Sequence, residues 1–398
     1  MKILVVSAFC PHEHADNAGT LDVHHMLRRL AKRNEITLVS PATPADHGAL
    51  AGLESIVERL VTVPAHAVES GLRYTTWSAA SLPTALPAIA FLNNDRRLRG
   101  AIRELAQPGE FDVAHFAFPQ TIHLQPLLPP DLRAVIDEPD LAFERRRRFA
   151  DTVRNPLVRY PILFDSAKLK RYEVRGLARF DAVVLRTRRE AELLRSLGEF
   201  RRVLVVPPWV DVSFRAEIPP EPEERSVLFF SALWRPVNQD AALWLARDIF
   251  TRVRERVPGA RLLLVGSRPP AGVLALASSD VEVPGFVDSI APYYRRAAVA
   301  VAPVRAGSGI RGKVLQALAV GRPVVATPIG AEGIDAQERH GLYVRADADA
   351  FASEVVRLLE HDDAKSIYAA GRRYFDESYR WDEAIAAWEA LLEEVAAS

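Results

Sequence analysis

Cysteine is almost missing from this chain: Cys10 stands alone among 398 residues. No intrachain disulfide and no cysteine-rich zinc site can form, and a reducing compartment such as the cytoplasm fits. Long apolar runs are missing too, since none approaches the ~18 residues that span a bilayer. The opening MKILVVSAFC has no small-residue cleavage site after it. It reads as a buried first strand, not as a signal peptide. Neither charge is in excess, with 51 Lys plus Arg against 51 Asp plus Glu. That balance argues against a protein built to neutralise nucleic-acid phosphate, so no nucleic-acid partner is expected. Lysine is scarce, six of those 51 cations, and no function follows from that skew. No Ser-His-Asp set or G-x-S-x-G elbow can be assembled. No metal constellation stands out, because the His361-Asp362-Asp363 run lies far from the glycine loops in sequence.

What is present is a repeated alternation of apolar runs with helical patterns. The first half carries KILVVSAF (2–9), EITLVSPA (35–42), FDVAHFAF (111–118), RAVIDEPD (133–140), FDAVVLRT (180–187) and RVLVVPPW (202–209). The second carries SVLFFSAL (226–233), ARLLLVGS (260–267), VAVAPV (299–304) and RPVVATPIG (322–330). Most are continuous, as in parallel strands covered on both faces. Between them lie patterns such as LDVHHMLRRLAKR (21–33), apolar at Leu21, Met26, Leu27 and Leu30. The Pro- and Glu-rich AEIPPEPEERS (216–226) separates the two series and reads as a linker. The fold class is therefore α/β, with two Rossmann-like doubly wound domains facing across a cleft.

GSGIRGKVLQALAVGRPVVATPIGAEGI (307–334) is the most informative stretch. Gly307, Gly309 and Gly312 have G-x-G-x-x-G spacing, and Glu332 follows about where a dinucleotide site wants an acid. That motif belongs on the first strand–turn–helix of its domain, however, and at least three strands precede it here. An NAD-dependent oxidoreductase stays as an alternative. A phosphate cradle fits better: glycines admit backbone N–H groups to an anion, a helix start follows, and Arg311 and Lys313 sit beside it. A tight turn with both cations solvated is the plain alternative.

The stretch resembles glycosyltransferase family four, retaining enzymes of GT-B fold, with their G-S-G-I-R-x-K-V-L-E-A-L-A-x-G-x-P-V-V signature at Gly307 to Val325 and a following G-x-E-G turn at Gly330 to Gly333. WRPVNQDAALWL (234–245), PGARLLLVGSRPP (258–270) and VEVPGFVDSIAPYYRRAAVAVAPV (281–304) match the family's second-domain blocks in order. The resemblance is looser in the first domain and returns at YRWDEAIAAWEALLEEV (379–395). It implies an acceptor domain at 1–212, a nucleotide-sugar domain at 213–376 and a helix crossing back at 377–398.

The resemblance also implies transfer of a hexose-like sugar from a nucleoside diphosphate sugar to an acceptor hydroxyl with retention. No cofactor or metal is expected, since the nucleotide-sugar is a substrate. The acceptor is a sugar, a lipid-linked molecule or another small molecule. Donor contacts fall on Gly19, Arg235, Gly307, Ser308, Gly309, Ile310, Arg311, Lys313 and Gln316, and catalytic roles on His115, Ser308 and Glu332. His24 and His25 face the acceptor. Ser308 and Gln316 stand where relatives have two acids, and Ala117 where they have a second histidine. Pro208 and Trp209 replace a flexible pair. A catalytically weakened nucleotide-sugar-binding or partner protein of the same fold is thus a further alternative. His115 is equally a histidine of the sheet, Glu332 an exposed turn residue and Gln316 a polar helix residue.

Residues 143–180 interleave cations with Phe, Tyr, Leu and Ile. They form either a solvated face or a peripheral contact with the inner face of a membrane.

Overall fold

The computed structural model describes residues 1–398 except 14, 16, 17, 66–79, 154, 308, 361–363 and the side chains of 152 and 364. It divides into two compact units, Met1–Trp209 with Trp381–Ser398, and Val210–Arg380.

The first unit holds β1 (Lys2–Ser7), β2 (Glu35–Ala42), β3 (Arg59–Pro64), β4 (Val113–Ala117), β5 (Ala134–Asp137), β6 (Ala182–Leu185) and β7 (Val203–Val205). They form one seven-stranded sheet in the order β3-β2-β1-β4-β5-β6-β7, parallel throughout. The order reverses beside β1, the place where such sheets receive ligands beyond their strands' carboxyl ends. Helix Ala18–Leu30 buries Val23, Met26, Leu27 and Leu30, the i, i+3, i+4, i+7 stripe of an amphipathic helix. The C-terminal helix Trp381–Ala396 buries Ile385, Trp388, Leu392 and Val395 in the same core as Ile3 and Val5 of β1. Each such side chain contributes ~1.5–3 kcal/mol of transfer free energy.

The second unit holds β8 (Ser226–Phe230), β9 (Arg261–Val265), β10 (Val281–Gly285), β11 (Ala297–Ala302), β12 (Val324–Ala326) and β13 (Leu342–Val344). Their order is β10-β9-β8-β11-β12-β13, again parallel throughout. The reversal falls between β8 and β11.

Three strands are absent from the ten apolar runs: β3, β10 and β13. All three are sheet edges. An edge strand is covered on fewer sides and does not require a continuous apolar run: β3 buries only Val63, although the fourth edge, β7, does lie in one.

The segment 216–226 is no free linker. Ile218 is buried, and its carbonyl accepts from the Tyr368 hydroxyl at 3.1 Å. The Arg322 guanidinium donates to the Pro220 carbonyl at 3.1 Å, and Arg296 pairs with Glu224 at 3.0 Å. The prolines remove N–H donors, and the buried Arg322 and the Tyr368 hydroxyl take the Pro220 and Ile218 carbonyls. Polar composition alone hides that arrangement.

Candidate functional site

In the second unit, β11 runs through residues 303–311 into helix Gly312–Ala319. Gly307 (φ 114°) and Gly309 (φ 80°) occupy the left-handed region, which costs glycine little and other residues more. The Thr327 hydroxyl donates to the Val304 carbonyl and accepts from the Gly330 N–H at 2.9 Å, tying this loop to the one after β12. Gly330 is required there, because a Cβ would lie 2.2 Å from the Ala302 carbonyl oxygen.

Residues 314–319 of the helix are all buried, and the side chain of Arg311, its N-cap residue, makes no capping hydrogen bond. The helix directs its positive end into the loop. The Lys313 Nζ lies 3.9 Å from the ring centroid of Phe230, the last residue of β8. Lys313 as a residue is exposed, but its ammonium end is crowded, and desolvation there pulls its pKa down to about 8 against a smaller opposing pull from Asp211. The ring stands in for lost water around the cation.

Beyond β8, Arg235 and Arg268 share one aromatic ring. Their guanidinium carbons lie 5.2 and 4.6 Å from the Trp234 ring centroid. Arg268 adopts φ 48°, unusual for a non-glycine residue. It follows Gly266, where a Cβ would lie 1.6 Å from the Ser231 carbonyl oxygen, so that β8 and β9 end in direct backbone contact. Sequence reasoning passed over Arg268 and Trp234. The readable signal was a basic residue just past the apolar run at 260–267.

The structure therefore gathers Gly307, Gly309, Ile310, Arg311 and Lys313 at one helix start, with Arg235 past the end of the adjacent β8. Ser308 lies outside the described residues. Glu332 is half-buried in the turn after β12. Gln316 is buried, donates to the Asp211 carbonyl at 2.8 Å and accepts from the Tyr294 hydroxyl at 3.3 Å. One donor and one lone pair of its amide are committed inside the unit.

In the first unit, His115 sits mid-strand in β4, opposite Val5 and Val135, with no exposed surface. Neither ring nitrogen has a hydrogen-bond partner. The ring meets Trp388 edge-on at 5.1 Å. Burial, then Arg186, pushes its pKa down to about 3. This is a neutral core histidine, which departs from the placement near a donor sugar that the resemblance implies. The apolar face of β4 under the C-terminal helix claims the side chain.

His24 is buried, with Nδ1 3.2 Å from the Pro11 carbonyl oxygen. His25 stacks on Trp209, with ring centroids 3.4 Å apart and planes at 22°. Gly19 lies in the first turn of helix Ala18–Leu30 and is half-buried.

A charged cluster closes the carboxyl ends of β5 and β6. Arg186 pairs with Asp137 at 2.8 Å and with Asp22 at 3.3 Å, and all three are buried. Asp22 also accepts from the Trp209 backbone N–H at 3.1 Å. Burial, only partly offset by Arg186, holds the Asp22 carboxyl up at about 7. Sequence reasoning missed this cluster. Its signal was a charged residue ending each of two apolar runs, Asp137 and Arg186, that strand pairing brings within reach: Asp137 lies opposite Val184, two residues before Arg186.

Among the described residues no group of three or more His, Cys, Asp or Glu is placed to hold a metal ion, and the His-Asp-Asp run at 361–363 lies outside them. No helix among them is long and apolar enough to cross a membrane.

Two parallel doubly wound sheets in one chain define the GT-B fold, and solved structures of that fold align along the whole length. Sucrose-phosphate synthase from Thermosynechococcus elongatus is 16% identical with a TM-score of 0.71, covering 100% of both chains. Anabaena HepE, solved in complex with UDP, is 13% identical with a TM-score of 0.68, covering 99% of this chain and 100% of that one. In sequence, residues 224–361 match the family described as Glycosyl transferases group 1. A D-inositol 3-phosphate glycosyltransferase from Xylanimonas cellulosilytica is 32% identical over 241 residues, 54% of this chain and 57% of the relative. The match thus spans little more than half of either protein.

Proposed function

We propose that this protein transfers a hexose-like sugar from a nucleoside diphosphate sugar to an acceptor hydroxyl, with retention. One observation carries the reading. Two left-handed glycines lead into the start of a largely buried helix with Lys313 in its first turn, inside the segment that resembles group 1 glycosyltransferases. In the reaction the bond from sugar C1 to the diphosphate oxygen breaks as the acceptor oxygen bonds C1 on the same face. The acceptor proton leaves with the nucleoside diphosphate. Charge builds on the leaving diphosphate, and the helix end with Lys313, Arg311, Arg235 and Arg268 stabilises it electrostatically. Lysine with a lowered pKa still carries its proton for most of the time at pH 7. Gln316 retains one donor and one acceptor for a ribose, and Glu332 suits sugar hydroxyls.

The buried His115 and the partly committed Gln316 favour a second reading, a member of the fold that binds nucleotide-sugar with weakened turnover. A thermal-shift panel of UDP, GDP, ADP and NADH tests the first step, because a ligand that binds only the native state raises Tm. A shift with one nucleoside diphosphate is expected. A shift with NADH alone overturns the proposal. Release of nucleoside diphosphate from the matching sugar donor then separates transfer from binding.

A further inference from the structure

We infer that Trp209 is a stacking platform for a pyranose ring of the acceptor, an inference that deepens the transfer reading and rests on it. Other indole rings of the chain already have an occupant. Trp244, Trp381 and Trp388 pack in or against the hydrophobic clusters of the two units, and Trp234 carries two guanidinium groups. Trp209 is half-buried and belongs to none of those clusters. Its one ring partner among the described residues is His25, at 3.4 Å between centroids and 22° between planes. Such a stack covers one face of the indole and leaves the other. The indole N–H has no hydrogen-bond partner among the described residues. The backbone fixes where this ring stands. Val206 extends β7 by donating to the Leu185 carbonyl at 2.8 Å, and Pro207 and Pro208 each hold φ near about −65°. The Trp209 N–H then donates to Asp22 at 3.1 Å, and the other oxygen of Asp22 meets Arg186 at 3.3 Å. Asp22 and His25 lie on the helix after β1. The segment thus brings Trp209 from the edge strand β7 to the place beside β1 where the strand order reverses. Parallel sheets bind ligands there, outside the carboxyl ends of the strands.

The chemistry of the ring selects the occupant. An indole has an electron-rich face and an N–H on its edge. A pyranose presents the complement, a face of slightly positive C–H hydrogens ringed by hydroxyl oxygens that accept from an N–H. Small-ligand sites combine aromatic surface with a few polar groups in just this way. The anchored backbone and the His25 stack hold the ring in place beforehand, so little freedom is lost when a ligand stacks on it. A nucleobase also stacks on indole. The cations that suit its diphosphate, Arg235, Arg268 and Lys313, all belong to the second unit, however. That division assigns the ring of the first unit to the acceptor.

Intrinsic tryptophan fluorescence of the full chain tests it, with the methyl pyranosides of glucose, mannose and galactose as probes and uridine as the rival. At least one glycoside is expected to change the emission in the millimolar range. Trp209→Phe keeps an aromatic face, so it should lose that emission change while binding the same glycoside within about threefold by titration calorimetry. Trp209→Ala removes the platform, and affinity should fall about tenfold or more. Wild-type emission that none of the glycosides moves, or a Trp209→Ala variant that binds as tightly as wild type, overturns the inference. So does a uridine response that disappears in Trp209→Phe, which assigns the ring to the nucleotide. A nucleoside diphosphate that raises Tm while no glycoside acts removes the platform and leaves the transfer reading standing. The reverse result keeps the platform as a sugar site and removes transfer.

Discussion

The two sheets share a topology but finish their strands differently. In the first unit the carboxyl ends of β5 and β6 carry a buried Asp22–Arg186–Asp137 cluster in which one guanidinium serves two carboxyl groups. In the second unit the cations Arg235, Arg268 and Lys313, past β8, β9 and β11, lie on the rings of Trp234 and Phe230, while Arg305 after β11 pairs with Asp240 after β8. A buried pair fixes structure, because the desolvation already incurred leaves each group no better partner. A cation on an aromatic face keeps part of its surface for an incoming anion. One sheet end is thus closed by its own counter-ions, and at the other, aromatic rings carry cations that in the proposed function meet the leaving diphosphate.

Substitutions can break this contrast, and the largest effect falls in the first unit. Arg186→Ala leaves Asp22 and Asp137 buried without a cation and is expected to cost about 3–5 kcal/mol. Urea unfolding followed by circular dichroism should show the first unit's transition moving while the second's stays. A change under about 1 kcal/mol would mean that the cluster is solvated. In the second unit, Gly266→Ala puts a methyl group 1.6 Å from the Ser231 carbonyl oxygen. A loss of about 1–3 kcal/mol is expected, read by calorimetry as a lower Tm.

Lys313→Met keeps the packing on Phe230 and removes the charge. Nucleoside diphosphate affinity should fall about tenfold, near 1.4 kcal/mol by titration calorimetry, with the unliganded Tm unchanged. Arg268→Ala should weaken binding similarly if Trp234 holds both guanidinium groups toward the same anion. Unaltered affinity in both variants would remove the distinction between the two sheet ends.

The smallest effect at neutral pH belongs to His115→Leu, within about 1 kcal/mol of wild type at pH 7. The pH dependence is more telling. Folding lowers the His115 pKa from 6.5 to about 3. The stability it contributes is complete above pH 6.5 and is lost as pH falls toward 3, by up to ~1.4 kcal/mol per pH unit. The leucine variant should therefore overtake wild type as pH drops from 6.5 to 5. Equal slopes with lost turnover would instead restore the catalytic role that the family resemblance implies.

How much of this was legible follows from burial. Central strands such as β1, β4 and β9 stood out as unbroken apolar runs because both faces are covered. Edge strands β3, β10 and β13 did not. Gly307 and Gly309 were readable as a turn before a helix because only backbone geometry is at stake there. His115 was not readable, since one histidine letter serves a cleft or a core equally well. Arg186 and Asp137 were separate in the chain and became a pair only because β5 lies beside β6.

The sequence by itself determined the alternation of strand and helix, the presence of two series of strands and the glycine loop that opens a late helix. These depend on local periodicity and backbone freedom, which neighbouring residues encode. Tertiary structure alone decided which charges are neutralised inside, which ring carries which cation, and that Leu157, Tyr160 and Phe164 stay uncovered. Those outcomes depend on distances between residues far apart in the chain, and no local pattern specifies them.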